Sequence, residues 1–105
     1  MRVLIITRPK FPIPPDAAPM LVDAMGAWVG KHTKEKTMDQ AWSFAGIPGG
    51  GGILNVGSPE ELDAIMSEFP FAPFSDIECY ILSDLNAGLA NFKRVTQQRS
   101  GPAKK

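Results

Sequence analysis

The chain has 105 residues, 44% of them hydrophobic, with 11 basic and 11 acidic side chains and one histidine, for a formal net charge of zero. That length makes one domain with room for a core, although a core this small is only marginally stable alone. No apolar run is long enough to span a membrane, and a single cysteine, Cys79, rules out an internal disulfide and fits a reducing cytoplasm.

The charges are segregated. Lys and Arg occur only up to Lys36 and from Lys93 onward, while residues 38–92 carry only acidic charge. A nucleic-acid binder shows a basic face with aromatic or helical readout. Here there is only a short basic tail from Arg99 to Lys105, so neither nucleic acid nor a membrane is an expected partner. The basic first third and the acidic middle are expected to face each other, within a subunit or between subunits.

Residues 3–7 are apolar and β-branched and predict a buried first strand, too short for a signal peptide. Pro9, Pro12, Pro14 and Pro15 make the next stretch a rigid loop. A helix follows from about position 16 or 17 to 31, with Pro19 tolerated in its first turn. Its apolar stripe is Leu21, Val22, Met25, Trp28 and Val29, with His32 one turn on. Residues 40–46 predict a second strand, Pro48 and residues 49–52 a glycine turn, and residues 53–56 a third strand.

Ser58, Pro59 and Glu61 then carry the marks of a capped helix over 59–68. The run Phe69-Pro70-Phe71-Ala72-Pro73-Phe74 reads as an extended clamp whose phenylalanines pin it to a core, before a strand over 76–82. A last helix is expected over 85–97, with Leu85, Leu89, Phe92 and Val95 as its stripe, and residues 98–105 as a disordered basic tail. The order βαββαβ is a ferredoxin-like α+β unit with a four-stranded antiparallel sheet and an extra C-terminal helix, one domain over 1–97.

The alternation has a further consequence. Val3, Ile5 and Thr7 point one way and Leu4 and Ile6 the other; Ile77, Cys79 and Ile81 oppose Tyr80 and Leu82. Both sheet faces are apolar, and two helices cover only one. The other is expected to meet a second copy, with the last helix reaching across.

The clamp together with the capped helix before it, the first strand leading to Lys10-Phe11-Pro12, the segment 42–46 and the helix entry Asn55-Val56-Gly57-Ser58 resembles the muconolactone isomerase family over roughly residues 2–82. The resemblance implies a dimeric α/β barrel, homo-oligomers built from dimers, and cofactor-free isomerisation of an unsaturated lactone, in which a base removes a proton beside the carbonyl and an acid returns it elsewhere. Lys10 and Glu78 match its pattern. The first helix, with Asp23 as the only charge in 21–27, and Ile47-Pro48 after Ala45-Gly46 depart from it.

Candidate chemistry is sparse. The four glycines lack the Lys and Ser or Thr of a phosphate loop; a positive-φ turn, or room for a ligand beside the sheet, are the other readings. One histidine and one cysteine leave no metal set. Arg8 and Lys10 leave the first strand together and could hold a carboxylate or polarise a carbonyl; surface ion pairing is the alternative. Asp23, if inward-facing, or His32, at a helix end, could move a proton; otherwise Asp23 is solvated and His32 answers the helix dipole. Met25, Trp28, Trp42, Phe44 and Tyr80 are core residues or line an apolar pocket. Cys79 reads as a buried structural thiol, and Glu78 as a partner for a basic residue of another subunit. Two functions fit: a muconolactone isomerase-like cytoplasmic enzyme for a small lactone or aromatic acid, using Arg8 and Lys10 for the anion and Asp23 or His32 for the proton; or a non-catalytic oligomeric module that binds a small apolar or anionic ligand or serves in assembly.

Overall fold

The computed structural model describes residues 1–103. Its elements are β1 (Arg2–Pro9), α1 (Ala18–Lys34), β2 (Met38–Ser43), β3 (Gly50–Asn55), α2 (Pro59–Ser67), β4 (Ser75–Leu82) and α3 (Leu85–Ala103), with a 3-10 turn at Ala72–Phe74. The four strands form one antiparallel sheet in the order β2-β3-β1-β4. This is the ferredoxin-like α+β arrangement expected from the element order.

Register decides what each sheet face carries. Val3 pairs with Leu54 and Ile81, and Ile5 with Gly52 and Cys79. Val3, Ile5 and Leu54 are buried there with Met38, Val56 and Ile65. Trp28 and Val29 of α1, and Leu62 and Met66 of α2, pack against this cluster. The opposite face carries Leu4 and Ile6 of β1, paired with Ile53 and Gly51 of β3 and with Tyr80 and Glu78 of β4. Among the described residues no helix packs on it, and Tyr80 and Leu82 are exposed.

The glycines do not form the expected turn. Gly50, Gly51 and Gly52 are strand residues, paired with β1 on one side and β2 on the other. A Cβ on Gly51 would stand 2.4 Å from the Ile5 carbonyl oxygen, one on Gly50 2.4 Å from that of Trp42, and one on Gly52 2.6 Å from that of Gln40. Backbone atoms cannot swing aside, so the strands lie this close only because side chains are missing. The turn is made earlier, at Gly46 and Gly49, both with positive φ. The second and third strands accordingly start before the positions that side-chain alternation suggests.

Other local signals behave as physics dictates. The Ser58 hydroxyl accepts from the Glu61 N–H at 3.1 Å, as a cap should. The Glu61 carboxylate reaches back to the Gly57 N–H at 2.8 Å, one residue beyond the expected box partner Ser58. Helix α1 runs through Gly30 to Lys34 and is stopped by Lys36, a non-glycine residue at φ 63°. Val22, expected on the buried stripe of α1, is exposed. The Pro-Phe segment is not extended: it turns through Ala72–Phe74, with Phe69 buried and Phe71 and Phe74 half-buried.

Helix α3 starts on an Asp84 cap, whose carboxylate accepts from the Ala87 N–H at 2.9 Å. It continues past position 97 to Ala103, so 98–103 of the expected tail is helical and the last two residues lie outside those described. The molecule measures 69 × 28 × 24 Å. Leu85, Leu89 and Phe92 on α3 are 72, 55 and 69% exposed.

The segregated charges do meet, within the chain. Arg2 pairs with Asp39 at 3.7 Å, Lys10 with Asp76 at 3.6 Å, Lys31 with Glu68 at 3.9 Å, and Arg8 with Glu78. All are at the surface, where each pair contributes about 0–1 kcal/mol, so they bias register more than stability.

Glycine packing is testable by adding one methyl group. Gly51→Ala is expected to lower unfolding stability by about 1–3 kcal/mol through backbone overpacking. Gly26→Ala, in the open on α1, should instead raise it by roughly 0.5–1 kcal/mol. Urea unfolding of both variants checks this; equal small effects would mean that the strands relax freely around the methyl group.

Candidate functional site

The missing side chains of β3 leave a hollow on the helix side of the sheet. A cavity of about 730 Å³ lies between the sheet and α1, walled by the loop that follows β1. Residues 49–52 line it together with Ile5, Thr7 and Leu54 of the strands. Met25, Trp28 and Val29 border it from α1, and Phe11, Pro12 and Ile13 from the proline-rich loop. Met38, Met66, Phe69, Phe71 and Phe74 add to the apolar wall, and Ser43 and Ser75 also border the cavity. Of the readings of the glycine run, room for a ligand beside the sheet is the one that agrees with this geometry.

Polar groups are few. The Thr7 hydroxyl donates to the Gly50 carbonyl at 3.3 Å and is occupied. Arg8 borders the cavity, but its guanidinium donates to the Glu78 carboxylate. The Trp28 indole nitrogen is buried with no hydrogen-bond partner among the described residues.

The sequence-derived candidates divide cleanly. Met25 and Trp28 line the cavity, and Trp42 borders it from β2. By register Trp42 pairs with Gly51, and its Nε1 stands 3.4 Å from where a Gly51 Cβ would be. Lys10, Asp23, His32 and Tyr80 are not among the lining residues. Lys10 faces Asp76 and sits 5.6 Å from the centre of the Phe11 ring. Asp23 is solvent-exposed on α1. His32 is 3% exposed, so it is buried and not solvated at the helix end.

Glu78 meets Arg8 of its own chain, not a basic residue of another subunit as expected. Its second oxygen accepts from the Tyr80 hydroxyl. The Tyr80 hydrogen bond first, and the Arg8 hydrogen bond next, hold the Glu78 carboxyl below its ordinary range. The same carboxylate pushes the Tyr80 phenol above its ordinary range. Cys79, expected to be buried, is exposed on the edge strand β4. Desolvation raises its thiol pKa, the opposite of what activates a nucleophile. Among the described residues no group of three or more His, Cys, Asp or Glu side chains could hold a metal ion. No helix of the described residues is long and apolar enough to cross a membrane.

Sequence reasoning missed Phe11, Pro12, Ile13 and Met66 as cavity residues. The signal available was an apolar residue on either side of Pro12 in the loop that joins β1 to α1.

No family model and no curated protein matches the chain. Among solved structures, the chain is similar to muconolactone isomerase, in a crystal structure at 3.3 Å resolution, with a TM-score of 0.73 and 24% identity. The match covers 80% of this chain and 90% of that one. The chain thus shares the fold of muconolactone isomerase.

The Arg8–Glu78–Tyr80 cluster has a pH signature. A depressed carboxyl contributes stability that is fully present above the ordinary glutamate pKa and is lost as pH falls through the depressed value. Tyr80→Phe and Arg8→Gln are each expected to raise the Glu78 titration midpoint, since the phenol hydrogen bond and the guanidinium both hold it down. Carboxyl-detected NMR titration measures this, and a midpoint unmoved by either change would rule the cluster out.

Proposed function

We propose that the protein is a muconolactone isomerase-like module that takes up a small, flat, largely apolar molecule of the lactone or aromatic class in the cavity between its sheet and α1, as an oligomer of identical chains. The observation that carries this reading is the glycine-floored cavity. Its volume lies within the roughly 300–1,000 Å³ common for small-molecule sites. A planar ring burying about 150–200 Å² there gains on the order of 4–5 kcal/mol from apolar contact. That gain is comparable to the lower estimates, about 4 kcal/mol, of the freedom lost on association, so shape alone gives weak binding and polar contacts decide affinity.

An anionic ligand is less well supported. Arg8 and Lys10 already face Glu78 and Asp76. The apolar cavity favours a neutral ring over a carboxylate.

Homo-oligomerisation is supported by the uncovered sheet face and by α3. Leu4, Ile6, Ile53 and Leu82 share that face with the self-neutralised Arg8–Glu78 pair, so it can be buried without stranding a charge. Helix α3 carries Leu85, Leu89 and Phe92 outward, where a second copy could receive them. The single thiol suits a reducing compartment such as the cytoplasm.

Cofactor-free isomerisation by proton transfer is the second reading, favoured by the likeness to muconolactone isomerase. In this reading the proton falls to His32 or Asp23, neither of which lines the cavity in a single chain. Asp23 lies on the solvent side of α1 and would need a second copy to enclose it.

Sedimentation at micromolar concentration is expected to give a dimer or a multiple of dimers, and Ile6→Lys to dissociate or unfold it. A single 11.4 kDa species would refute the assembly. Separately, a panel of lactones and aromatic acids is expected to yield neutral ligands detected by ligand-observed NMR. Solvent deuterium appearing beside the ligand carbonyl, and lost in His32→Gln, would mark the isomerase; binding without exchange would mark the module; no binding at all would refute both.

A further inference from the structure

The cavity wall is apolar except for a few groups, and its hydroxyls have a definite order on the sheet. Ser43 of β2, Gly50 of β3 and Thr7 of β1 stand in one row across the strands. Ser75 of β4 pairs with Pro9, two residues beyond Thr7 along β1. Thr7 shares a face with Val3 and Ile5, and Ser75 shares one with Ile77, which packs on the core. Ser43 shares that face by its place in the row. All three line the cavity, as does Gly50, which puts no side chain between Ser43 and Thr7.

The three hydroxyls are not equivalent. The Thr7 proton goes to the Gly50 carbonyl at 3.3 Å, so Thr7 has only lone pairs to offer a ligand. The Ser43 and Ser75 hydroxyls make no hydrogen bond among the described residues, so each is free to donate and to accept. Both are within reach of a molecule in the cavity. Ser43 is exposed and Ser75 half-buried, and neither oxygen is sealed off as Trp28 Nε1 is. The surroundings of Ser75 are apolar. Pro9 faces it in register, Phe74 precedes it, and the Phe74 carbonyl accepts from the N–H groups of Lys10 and Phe11 at 2.7 and 3.1 Å, which ties the proline-rich loop down beside it.

Strands β2 and β4 are the two edges of the sheet. Ser43 and Ser75 therefore stand at opposite ends of the cavity floor, three strand spacings or about 14 Å apart across the sheet. A hydrogen bond of about 2.8 Å at each end leaves roughly 8–9 Å between the two ligand oxygens. One ring is too short for that span. Two fused rings with an oxygen at each end come close to it.

We propose that Ser43 and Ser75 hold the two ends of the ligand, and that the ligand is a flat two-ring molecule with an uncharged oxygen function at each end, laid over Gly50. This rests on the cavity being the binding site. The oxygens are uncharged because Arg8, the cation among the lining residues, already faces Glu78. A molecule with oxygen at one end only leaves one of the two hydroxyls to water. The Ser75 end contributes more, because an exposed Ser43 exchanges one bond to water for another.

The test compares naphthalene, 2-naphthol, 2,3-dihydroxynaphthalene and 2,6-dihydroxynaphthalene on the full chain by calorimetry and ligand-observed NMR. The two diols have the same rings and the same groups, and differ in where the second oxygen stands. The 2,6 isomer is expected to bind about 5-fold more tightly than 2-naphthol or the 2,3 isomer, the size of one net hydrogen bond. Ser43→Ala and Ser75→Ala should each remove that advantage, with the greater loss in Ser75→Ala. Naphthalene should bind both variants as it binds the unaltered chain, which shows that the cavity is intact.

Equal binding of the two diols overturns the inference while leaving the cavity as the site. So does an advantage of the 2,6 isomer that survives either substitution. Failure of naphthalene and all three derivatives to bind removes the cavity reading and this inference with it.

Discussion

At Gly50, Gly51 and Gly52, carbonyl oxygens of the flanking strands stand where a methyl group would have to go. The rest of the molecule depends on that contact. Side chains at Gly50 and Gly52 would project onto the helix side of the sheet, and none are there. Beneath Met25 and Trp28 the sheet therefore has bare backbone as its floor, while a few residues along β3 Leu54 is almost fully buried in a conventional core. One strand thus supplies both a packed half and a hollow half. The cost falls on backbone entropy, since glycine loses the most freedom on folding. Pairing on both sides of β3 offsets part of that cost.

The two sheet faces then have different work. The helix side holds the core and the cavity. The other side holds Leu4, Ile6, Ile53, Tyr80 and Leu82 around an internally neutralised Arg8–Glu78 pair. A monomer that left such a face in water would forgo several kcal/mol at about 25 cal/mol per Å². The ion pairs between the first third of the chain and its middle join β1 to β2 and β4, and α1 to α2. They are weak one by one, but they oppose register slips that would exchange the two faces.

Much of this order was legible in the residues. Ser58, Pro59 and Glu61 announced α2, and an apolar, β-branched run announced β1, because local chemistry decides those elements. The resemblance to muconolactone isomerase, drawn mainly from the Pro-Phe segment, agrees with the observed fold. The cavity was not legible, because its defining feature is an absence: glycine has no side chain to alternate, so a glycine strand gives the same signal as a turn. Phe71 and Phe74 read as core because apolarity does not separate a core wall from a cavity wall. The contact of His32 with Thr37 needed the turn from α1 to β2 in place, and Glu78's partner needed the β1–β4 register. Both are tertiary facts that spacing along the chain does not encode. Asp23, by contrast, could have been read as solvent-facing from its distance around the helix from Met25 and Trp28.

The central claim is that the hollow over the glycine strand is where a ligand binds. The methionines report on it directly. Met25, Met38 and Met66 line the cavity, whereas Met1 and Met20 do not. With methyl-labelled methionine and a bound aromatic probe, nuclear Overhauser contacts from the probe protons should appear to Met25, Met38 and Met66 and to neither of the others. Contacts confined to Met1 or Met20, or a bound probe with no methionine contact, would contradict the account.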